Sequence, residues 1–342
     1  MSESAAAPNG SGEPLFEAFL NRHDDNAWRD IVHTLMPSIH EVDRTATEIW
    51  FYFFPLALLR ALQQPEDPGQ LARKLSLAGT YLLKDQIDSS HEFLYGHRYW
   101  PEVKAAVSEL AASTNAPTSL NLATQIRGVS ENVASRLKLD PALVTGITAV
   151  AFMTLQQVGA AAFKSAAGTV RKQPDKSPEQ ILKDRARDDK QPLLSSLFNP
   201  DKIFSITFDE RDPAAKFKLI NTQHLTTAAA KDKREYRSRD PRCVAGEGPI
   251  PIECRSAACG TCWVGVLAGS EKLSEVAALE WRKITEFGYI DTEEPRPLIR
   301  LACQAQAYGN VTIVIPPWNG VFGKFIRAQQ CASEEEQESP AI

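Results

Sequence analysis

The sequence predicts an α+β protein in which an all-helical N-terminal domain precedes a C-terminal domain of short strands and helices. Apolar residues recur at helical spacing up to about residue 165, whereas apolar and polar residues alternate at the period of a strand from Lys202 onward. Residues 1–242 contain no cysteine, and all 6 cysteines follow them. A chain of 342 residues is long enough for two domains with separate cores.

The N-terminal domain is predicted to span residues 15–167, after a disordered leader over residues 1–14. The leader is rich in Ser, Ala, Gly and Pro and lacks the basic and apolar regions of a secretory signal. Ser38 and Glu41 form a capping-box pattern that predicts a helix start. Apolar periodicity predicts further helices at 71–83, 101–112, 118–138 and 141–164.

One segment of this domain is long and apolar enough to be considered as a membrane span. Residues 142–163 contain no charged side chain over the length that a bilayer requires. The segment is rich in Ala, Gly and Thr, however, and it contains Gln156 and Gln157. We therefore expect a buried core helix here and no membrane association.

A charged linker is predicted over residues 168–200, with one short helix after Ser177. The second domain is predicted over residues 201–320. It begins with two alternating runs on either side of a turn at Asp212, which is the pattern of a β-hairpin. Residues 321–342 form a tail that is acidic at its end and is expected to be disordered.

Charge and cysteine content narrow the function classes. The formal net charge of −5 gives no basic surface, so we expect no nucleic-acid partner. Without a secretory signal the expected compartment is the cytoplasm, where clustered cysteines bind metals more often than they form disulfides. No Gly-rich nucleotide motif follows a predicted strand, so the chain is not expected to hold NAD or FAD. Redox chemistry would then need an external electron donor.

Four cysteines have the spacing of a metal-cluster site. Cys254, Cys259 and Cys262 follow a C-x4-C-x2-C pattern, and Cys303 lies in a separate segment. This is the ligand pattern of a plant-type 2Fe-2S cluster, because each of two irons has two positions that soft thiolates fill. Short gaps allow one loop to wrap the cluster, and the distant cysteine closes the site.

Other interpretations of the cysteines remain open. A zinc site of four thiolates would use the same residues, but zinc ribbons usually pair two C-x2-C motifs and one is present here. Unrelated core cysteines are the other alternative. Cys243 is predicted to be a buried free thiol, with a spare ligand as the alternative, and Cys331 in the tail is taken as incidental.

The region around the four cysteines resembles the plant-type 2Fe-2S ferredoxin domain, which has a β-grasp fold. The resemblance covers about residues 201–317 and includes the runs PIECRS at 251–256, RLACQ at 300–304 and VTIVIP at 311–316. It implies that the iron ligands are Cys254, Cys259, Cys262 and Cys303. It also implies that the loop backbone cradles the sulfides at Arg255, Ser256, Ala257, Ala258, Gly260 and Thr261.

Three features depart from the family pattern. Ala257 stands where the family usually has Gly, so a positive φ at this position would be strained. The gap between Cys262 and Cys303 is longer than usual, and a helix is predicted in its excess, over residues 273–287. A charged insertion over residues 231–242 precedes the cluster loop.

The helical domain has weaker candidates for chemistry. Asp85, Asp88 and His91 share one side of a predicted helix, and Glu41 and Glu48 lie on another. The Glu-x-x-His pairs of di-iron bundles are absent, and no C-x-x-C-H motif supports a haem. We therefore expect these residues to form a solvated polar face.

These observations predict an electron carrier rather than a catalyst in its own right, which transfers one electron to or from a protein redox partner through a 2Fe-2S cluster. Its partners would be an external reductase and an acceptor, and the helical domain would serve docking or oligomerisation. Acidic residues concentrated between Glu271 and Glu294, Glu280 among them, either steer a basic partner or form a solvated face. Two further hypotheses remain: an oxidoreductase whose helical domain carries a second redox centre, and a redox-sensing interaction protein.

Overall fold

The computed structural model describes residues 15–53, 86–113, 121–187, 202–257, 260–286 and 294–316. The predicted leader, the helix predicted at 71–83 and the predicted acidic tail therefore lie outside the described residues. So do Asp85, Ala258, Cys259 and Cys331.

The N-terminal part is built from helices whose apolar faces meet in one core. Trp28, Trp50 and Trp100, on three different helices, are fully buried in it. Short 3-10 turns at Met36–Ser38 and Tyr95–Tyr99 precede the third and fourth of the described helices. In chain order the helices are α1 (Leu15–Leu20), α2 (Asp25–Leu35), α3 (Glu41–Phe53), α4 (Trp100–Ala112), α5 (Leu122–Leu137), α6 (Ala142–Val158), α7 (Ala160–Ser165) and α8 (Pro178–Ala186).

Helix α6 lies at the centre of this core, since every residue from Val144 to Leu155 is buried. Gly146 allows α3 to pass close by, because a Cβ at this position would lie 2.5 Å from Thr47 Oγ1. Gly159 ends the helix at φ +81°, so the single helix predicted over 141–164 is two helices, α6 and α7. None of the described helices is both long and apolar enough to cross a membrane.

The start of α3 differs from the predicted capping box. Ser38 lies in the preceding 3-10 turn, and its Oγ accepts a hydrogen bond from Arg127 Nε at 3.2 Å. The Val42 amide donates instead to His40 Nδ1 at 3.2 Å. The helix therefore begins at Glu41, later in the chain than the capping-box pattern predicts.

The described residues of the C-terminal part form a mixed five-stranded sheet and two helices. In chain order its elements are β1 (Ile203–Thr207), β2 (Lys216–Ile220), α9 (Leu225–Ala229), β3 (Trp263–Ala268), α10 (Ala278–Glu286), β4 (Ile299–Leu301) and β5 (Val311–Val314). The strand order is β2-β1-β5-β3-β4. β1 and β2 form the predicted hairpin, and β5 pairs parallel with β1 and antiparallel with β3. Together with the helical part, this sheet confirms the predicted α+β class.

Two short helices test the finer predictions. Helix α8 is the one predicted after Ser177, whose Oγ accepts the Gln180 amide at 3.2 Å while the Gln180 side chain returns to the Ser177 amide. Helix α10 begins at Ala278, whereas the prediction began at residue 273. Residues 270–272 instead form a 3-10 turn, and Leu273 pairs as an isolated bridge with Ala307.

The helical part packs directly on the sheet, and their buried side chains form one continuous apolar cluster. At the contact Ile49 of α3 lies over Gly265 of β3, because a Cβ at Gly265 would come within 2.6 Å of Ile49 Cγ2. Arg185 of α8 adds polar contacts between the two parts. Its guanidinium donates to both carboxylate oxygens of Glu210 at 2.8 Å and to the Val42 carbonyl at 2.7 Å.

Candidate metal centre

The described residues of the loop between Cys254 and Cys262 include three with a left-handed backbone. Arg255 and Ala257 adopt left-handed conformations at φ +57° and +62°, and Gly260 follows at +65°. A backbone that returns to the left-handed region at alternate residues points successive N–H groups to one side, where they stabilise negative charge. Ala257 thus adopts the positive φ that is unfavourable for its side chain, at a cost of roughly 1–2 kcal/mol.

In the described part of the loop, the amides of Ser256 and Ala257 reach cysteine sulfurs. The Ser256 N–H donates to Cys254 Sγ at 3.4 Å. The Ala257 N–H donates to Cys303 Sγ, although Cys303 belongs to a separate segment of the chain. Cys262 and Cys303 are buried, and a hydrogen bond joins their thiols. The fold therefore brings the end of the loop and the distant cysteine together.

The surroundings of Cys303 lower the pKa of its thiol to about 6. The hydrogen bond with Cys262 is the largest cause, and the Gln304 side chain and the Ala257 amide act in the same direction. Burial and the Glu280 carboxylate oppose them. Because the thiolate is the form that binds iron, these contacts favour the state that a ligand needs.

These residues fit an iron–sulfur cluster by their chemistry, since soft thiolates match iron and amide donors stabilise charge on sulfur. Within the part of the chain that the structure describes, no three or more His, Cys, Asp or Glu side chains are grouped to hold a metal ion. Cys254, which is partly exposed, therefore does not join Cys262 and Cys303 in such a group. Cys259 and Ala258 lie outside the described residues.

Cys243 is a buried free thiol, as predicted. Its Sγ donates a hydrogen bond to the Pro249 carbonyl oxygen at 3.3 Å. Burial raises the pKa of this thiol to about 12. Cys243 is therefore protonated at neutral pH, in contrast to Cys303, and it serves as an internal comparison for the proposed ligands.

A buried ion pair beside the site was missed from the sequence. Glu280, expected on an acidic or solvated face, is fully buried and binds Arg300, with Arg300 Nε 2.9 Å from Glu280 Oε1. Glu271 and Glu275, by contrast, are exposed. The signal in the sequence was Arg300 itself, which lies in the apolar run LIRLA and needs a buried acidic partner.

His91 does not lie on a solvated face, so that prediction is wrong for this residue. His91 and His97 are fully buried, with their Nδ1 atoms 3.0 Å apart. His97 Nε2 accepts the Arg171 amide at 3.3 Å, so its Nδ1–H donates to His91. The opposite nitrogen of His91 donates to the Ile87 carbonyl at 3.1 Å. Both rings are neutral, burial lowers both pKa values, and all four ring nitrogens are used within the protein.

The carboxylates of Asp88, Glu41 and Glu48 lie in different environments. Asp88 accepts hydrogen bonds from Trp100 Nε1 and the Gly168 amide, both at 2.8 Å. It therefore ties the segment after α7 to the start of α4. Glu41 is exposed, whereas Glu48 is partly buried and its pKa is raised by that burial.

Comparison with known families identifies the C-terminal part. Residues 242–308 match the family model of the 2Fe-2S iron-sulfur cluster binding domain. The match includes all four cysteines of the predicted ligand set and excludes the helical part of the chain. No solved structure matches the chain. The ferredoxin resemblance is thereby confirmed: this domain binds a 2Fe-2S cluster, and its general function is iron–sulfur electron transfer.

Proposed function

We propose that the chain is a one-electron carrier whose 2Fe-2S cluster is held by Cys254, Cys259, Cys262 and Cys303 and exchanges electrons with protein redox partners. The observation that carries the proposal is that Cys303 is hydrogen-bonded to both the Cys262 thiol and the Ala257 amide, inside the matched cluster-binding domain. When bound, a 2Fe-2S cluster accepts and donates single electrons.

The residues of the loop have distinct roles in this proposal. The four thiolates bind the irons, and the amides of Ser256 and Ala257 donate to ligand sulfurs. These donors offset the negative charge that an added electron brings, so they raise the reduction potential. The left-handed backbone at Arg255 and Ala257 keeps the amides in that orientation. The backbone of Ala258, Gly260 and Thr261 is proposed to complete the cradle.

Both redox partners are proposed to be proteins, an external reductase and an acceptor. The helical part is proposed to dock one of them or to form an oligomer. The Ile49–Gly265 contact and the Arg185–Glu210 ion pair join it to the sheet. A partner bound to the helices would therefore be held at a fixed distance from the cluster domain. The clustered cysteines favour the cytoplasm as the compartment.

Serine variants of the four cysteines test the ligand assignment. The full chain is purified without oxygen, reduced, and examined by visible absorption and EPR. Each ligand variant is expected to lose or alter the reduced-state EPR signal, whereas Cys243→Ser, the matched control, is expected to retain it. A wild-type spectrum from Cys259→Ser or Cys303→Ser would show that the assignment is wrong.

The same samples separate the alternative functions. Iron in excess of the cluster content, or a haem absorption band, would support a second redox centre in the helical part. A partner affinity that changes with the redox state of the cluster would support a redox-sensing interaction protein. Equal affinity in both states, with iron accounted for by the cluster alone, is the result that the carrier proposal expects.

A further inference from the structure

We propose that the buried Glu280–Arg300 ion pair positions Cys303 and sets the electrostatic environment of the cluster. This inference rests on the proposed function, because it concerns the reduction potential of a cluster bound at Cys303. Glu280 lies on helix α10, in the gap between Cys262 and Cys303 that is longer than in the ferredoxin family, and Arg300 lies in the run that resembles the family. The ion pair thus gives a role to helix α10.

The pair is buried, and each nitrogen of the Arg300 guanidinium donates a hydrogen bond. The Arg300 and Glu280 side chains are 0% and 1% exposed. Arg300 Nε donates to Glu280 Oε1 at 2.9 Å, and its Nη2 donates to Oε2 at 3.0 Å, so the contact is bidentate. Arg300 Nη1 donates to the Ser274 carbonyl at 2.7 Å. The geometry therefore fixes both side chains in one arrangement.

Glu280 also holds the backbone of the strand that leads to Cys303. Its Oε1 accepts the Leu301 amide at 2.7 Å. Among the described strands, β4 lies at the edge of the sheet and pairs with β3 on one side. The carboxylate thus takes the place of a neighbouring strand on the open side. The hydrogen bond from Leu301 to Glu280 thus joins β4 to α10 two residues before Cys303.

Backbone hydrogen bonds connect the Glu280–Leu301 contact to both cysteines. The Ala302 amide, next in the chain, donates to the Cys262 carbonyl at 3.0 Å. Cys303 follows directly, and its thiol is hydrogen-bonded to that of Cys262. The ion pair therefore fixes the approach of the two segments whose thiols meet. Glu280 and Arg300 act through these neighbours as positioning residues.

The two charges cancel while both are present, and each would act alone if its partner were removed. Neutralising Glu280 leaves a buried positive charge near the cluster, which stabilises the reduced form. Neutralising Arg300 leaves a buried negative charge, which destabilises it. Within the protein such charges are weakly screened, so they act over longer distances than surface charges do. The two substitutions should shift the potential in opposite directions.

The experiment compares Glu280→Gln and Arg300→Gln in the cluster-loaded full chain, by redox titration and reduced-state EPR. Glu275→Gln and Arg296→Gln are the matched controls, since that pair lies in the same region at 3.3 Å but with side chains 67% and 38% exposed. We expect E280Q to raise the potential and R300Q to lower it, with no shift in either control. Shifts of the same sign, or none, would overturn the proposal.

A double variant keeps the proposal testable if the single variants do not fold. Glu280→Met with Arg300→Met replaces the pair by apolar groups of similar size, an exchange that buried ion pairs often tolerate. We expect it to fold and to lose its cluster faster than wild type, because the Leu301 amide has lost its acceptor. Cluster loss at the wild-type rate, or failure to fold, would refute the positioning role. If the wild-type chain itself bound no cluster, the proposed function would fail instead.

Discussion

The contact between Ile49 and Gly265 provides a quantitative test of how the helical part packs on the sheet. A methyl group added at residue 265 would lie 2.6 Å from Ile49 Cγ2 and 3.2 Å from its Cδ1. Carbon atoms pack favourably at about 3.5–4.0 Å. Gly265→Ala therefore pushes α3 away from β3 or forces Ile49 into an unfavourable rotamer.

The expected size of the effect follows from this overlap. Overpacking of this kind lowers the free energy of unfolding by about 1–3 kcal/mol. The reduced freedom of alanine in the unfolded chain offsets about 0.5–1 kcal/mol of that loss. Ile49→Ala alone should cost about 2–5 kcal/mol, because it leaves a cavity. In the double variant the new methyl fills part of this cavity, so we expect a coupling energy of about 1–2 kcal/mol.

Urea-induced unfolding of the cluster-loaded full chain measures these terms. Far-ultraviolet circular dichroism follows the helices, and visible absorbance follows the cluster-binding domain. Gly128→Ala is the matched control, because a Cβ at that exposed position in α5 meets nothing within 4 Å. It should stabilise the chain by about 0.5–1 kcal/mol through helix propensity.

Two results would refute the packing argument. The first is additivity of Gly265→Ala and Ile49→Ala to within about 0.3 kcal/mol, which would mean that the two side chains do not touch. The second is destabilisation of the visible absorbance transition by Gly265→Ala without any effect on the helical transition. That result would mean that the two parts do not share a core.

Three further predictions concern the loop, its support and acid stability. Ala257→Gly relieves about 1–2 kcal/mol of backbone strain. It also removes about 0.8 kcal/mol of stabilisation from the buried methyl group, and the greater freedom of glycine in the unfolded chain costs about 0.5–1 kcal/mol. Thermal unfolding and iron content should therefore stay near wild type, and a large change in either would show that the loop conformation is wrong. Gly248 has φ +81°, and a Cβ at this position would lie against the Ala229 carbonyl oxygen. Gly248→Ala should therefore lower the free energy of unfolding, measured by thermal unfolding, by about 2–5 kcal/mol. Wild-type stability of this variant would contradict the contact. Burial lowers the pKa of His97 to about 4. The unfolded chain consequently binds this proton first, and the contribution of His97 to the free energy of unfolding should fall by about 3 kcal/mol as the pH drops from 6.5 to about 4. Burial raises the pKa of Asp43 to about 6, which has the opposite effect on stability between pH 3.8 and about 6. Urea unfolding of His97→Asn at several pH values isolates the histidine term, and a pH dependence identical to that of wild type would contradict it.

The features predicted correctly depend on short stretches of sequence. The hairpin of β1 and β2 follows from alternation over a few residues around one turn, and its register is set by which side chains face the core. The cysteine loop is equally local, since its spacing alone indicates the cofactor that the matched family binds. The strain at Ala257 was indicated by the resemblance, because alanine stands where the ferredoxin family usually has glycine, and the residue does have a positive φ.

The features that were missed depend on contacts between distant residues. Glu280 was predicted on an acidic or solvated face, but it is buried in an ion pair with Arg300 of β4. His91 looked polar and exposed, but the turn at Tyr95–Tyr99 and the amide of Arg171 bring it into a buried chain of hydrogen bonds. Periodicity describes one element at a time, so it does not show which polar groups a second element will bury.

The most direct test of the central claim is the number of electrons that the full chain accepts. An anaerobically purified sample is titrated with a reductant, and its iron and acid-labile sulfide are counted in parallel. The account predicts one electron for every two irons and two sulfides, with an EPR signal that appears only on reduction. Zinc in place of iron, or iron without sulfide and without electron uptake, would contradict it.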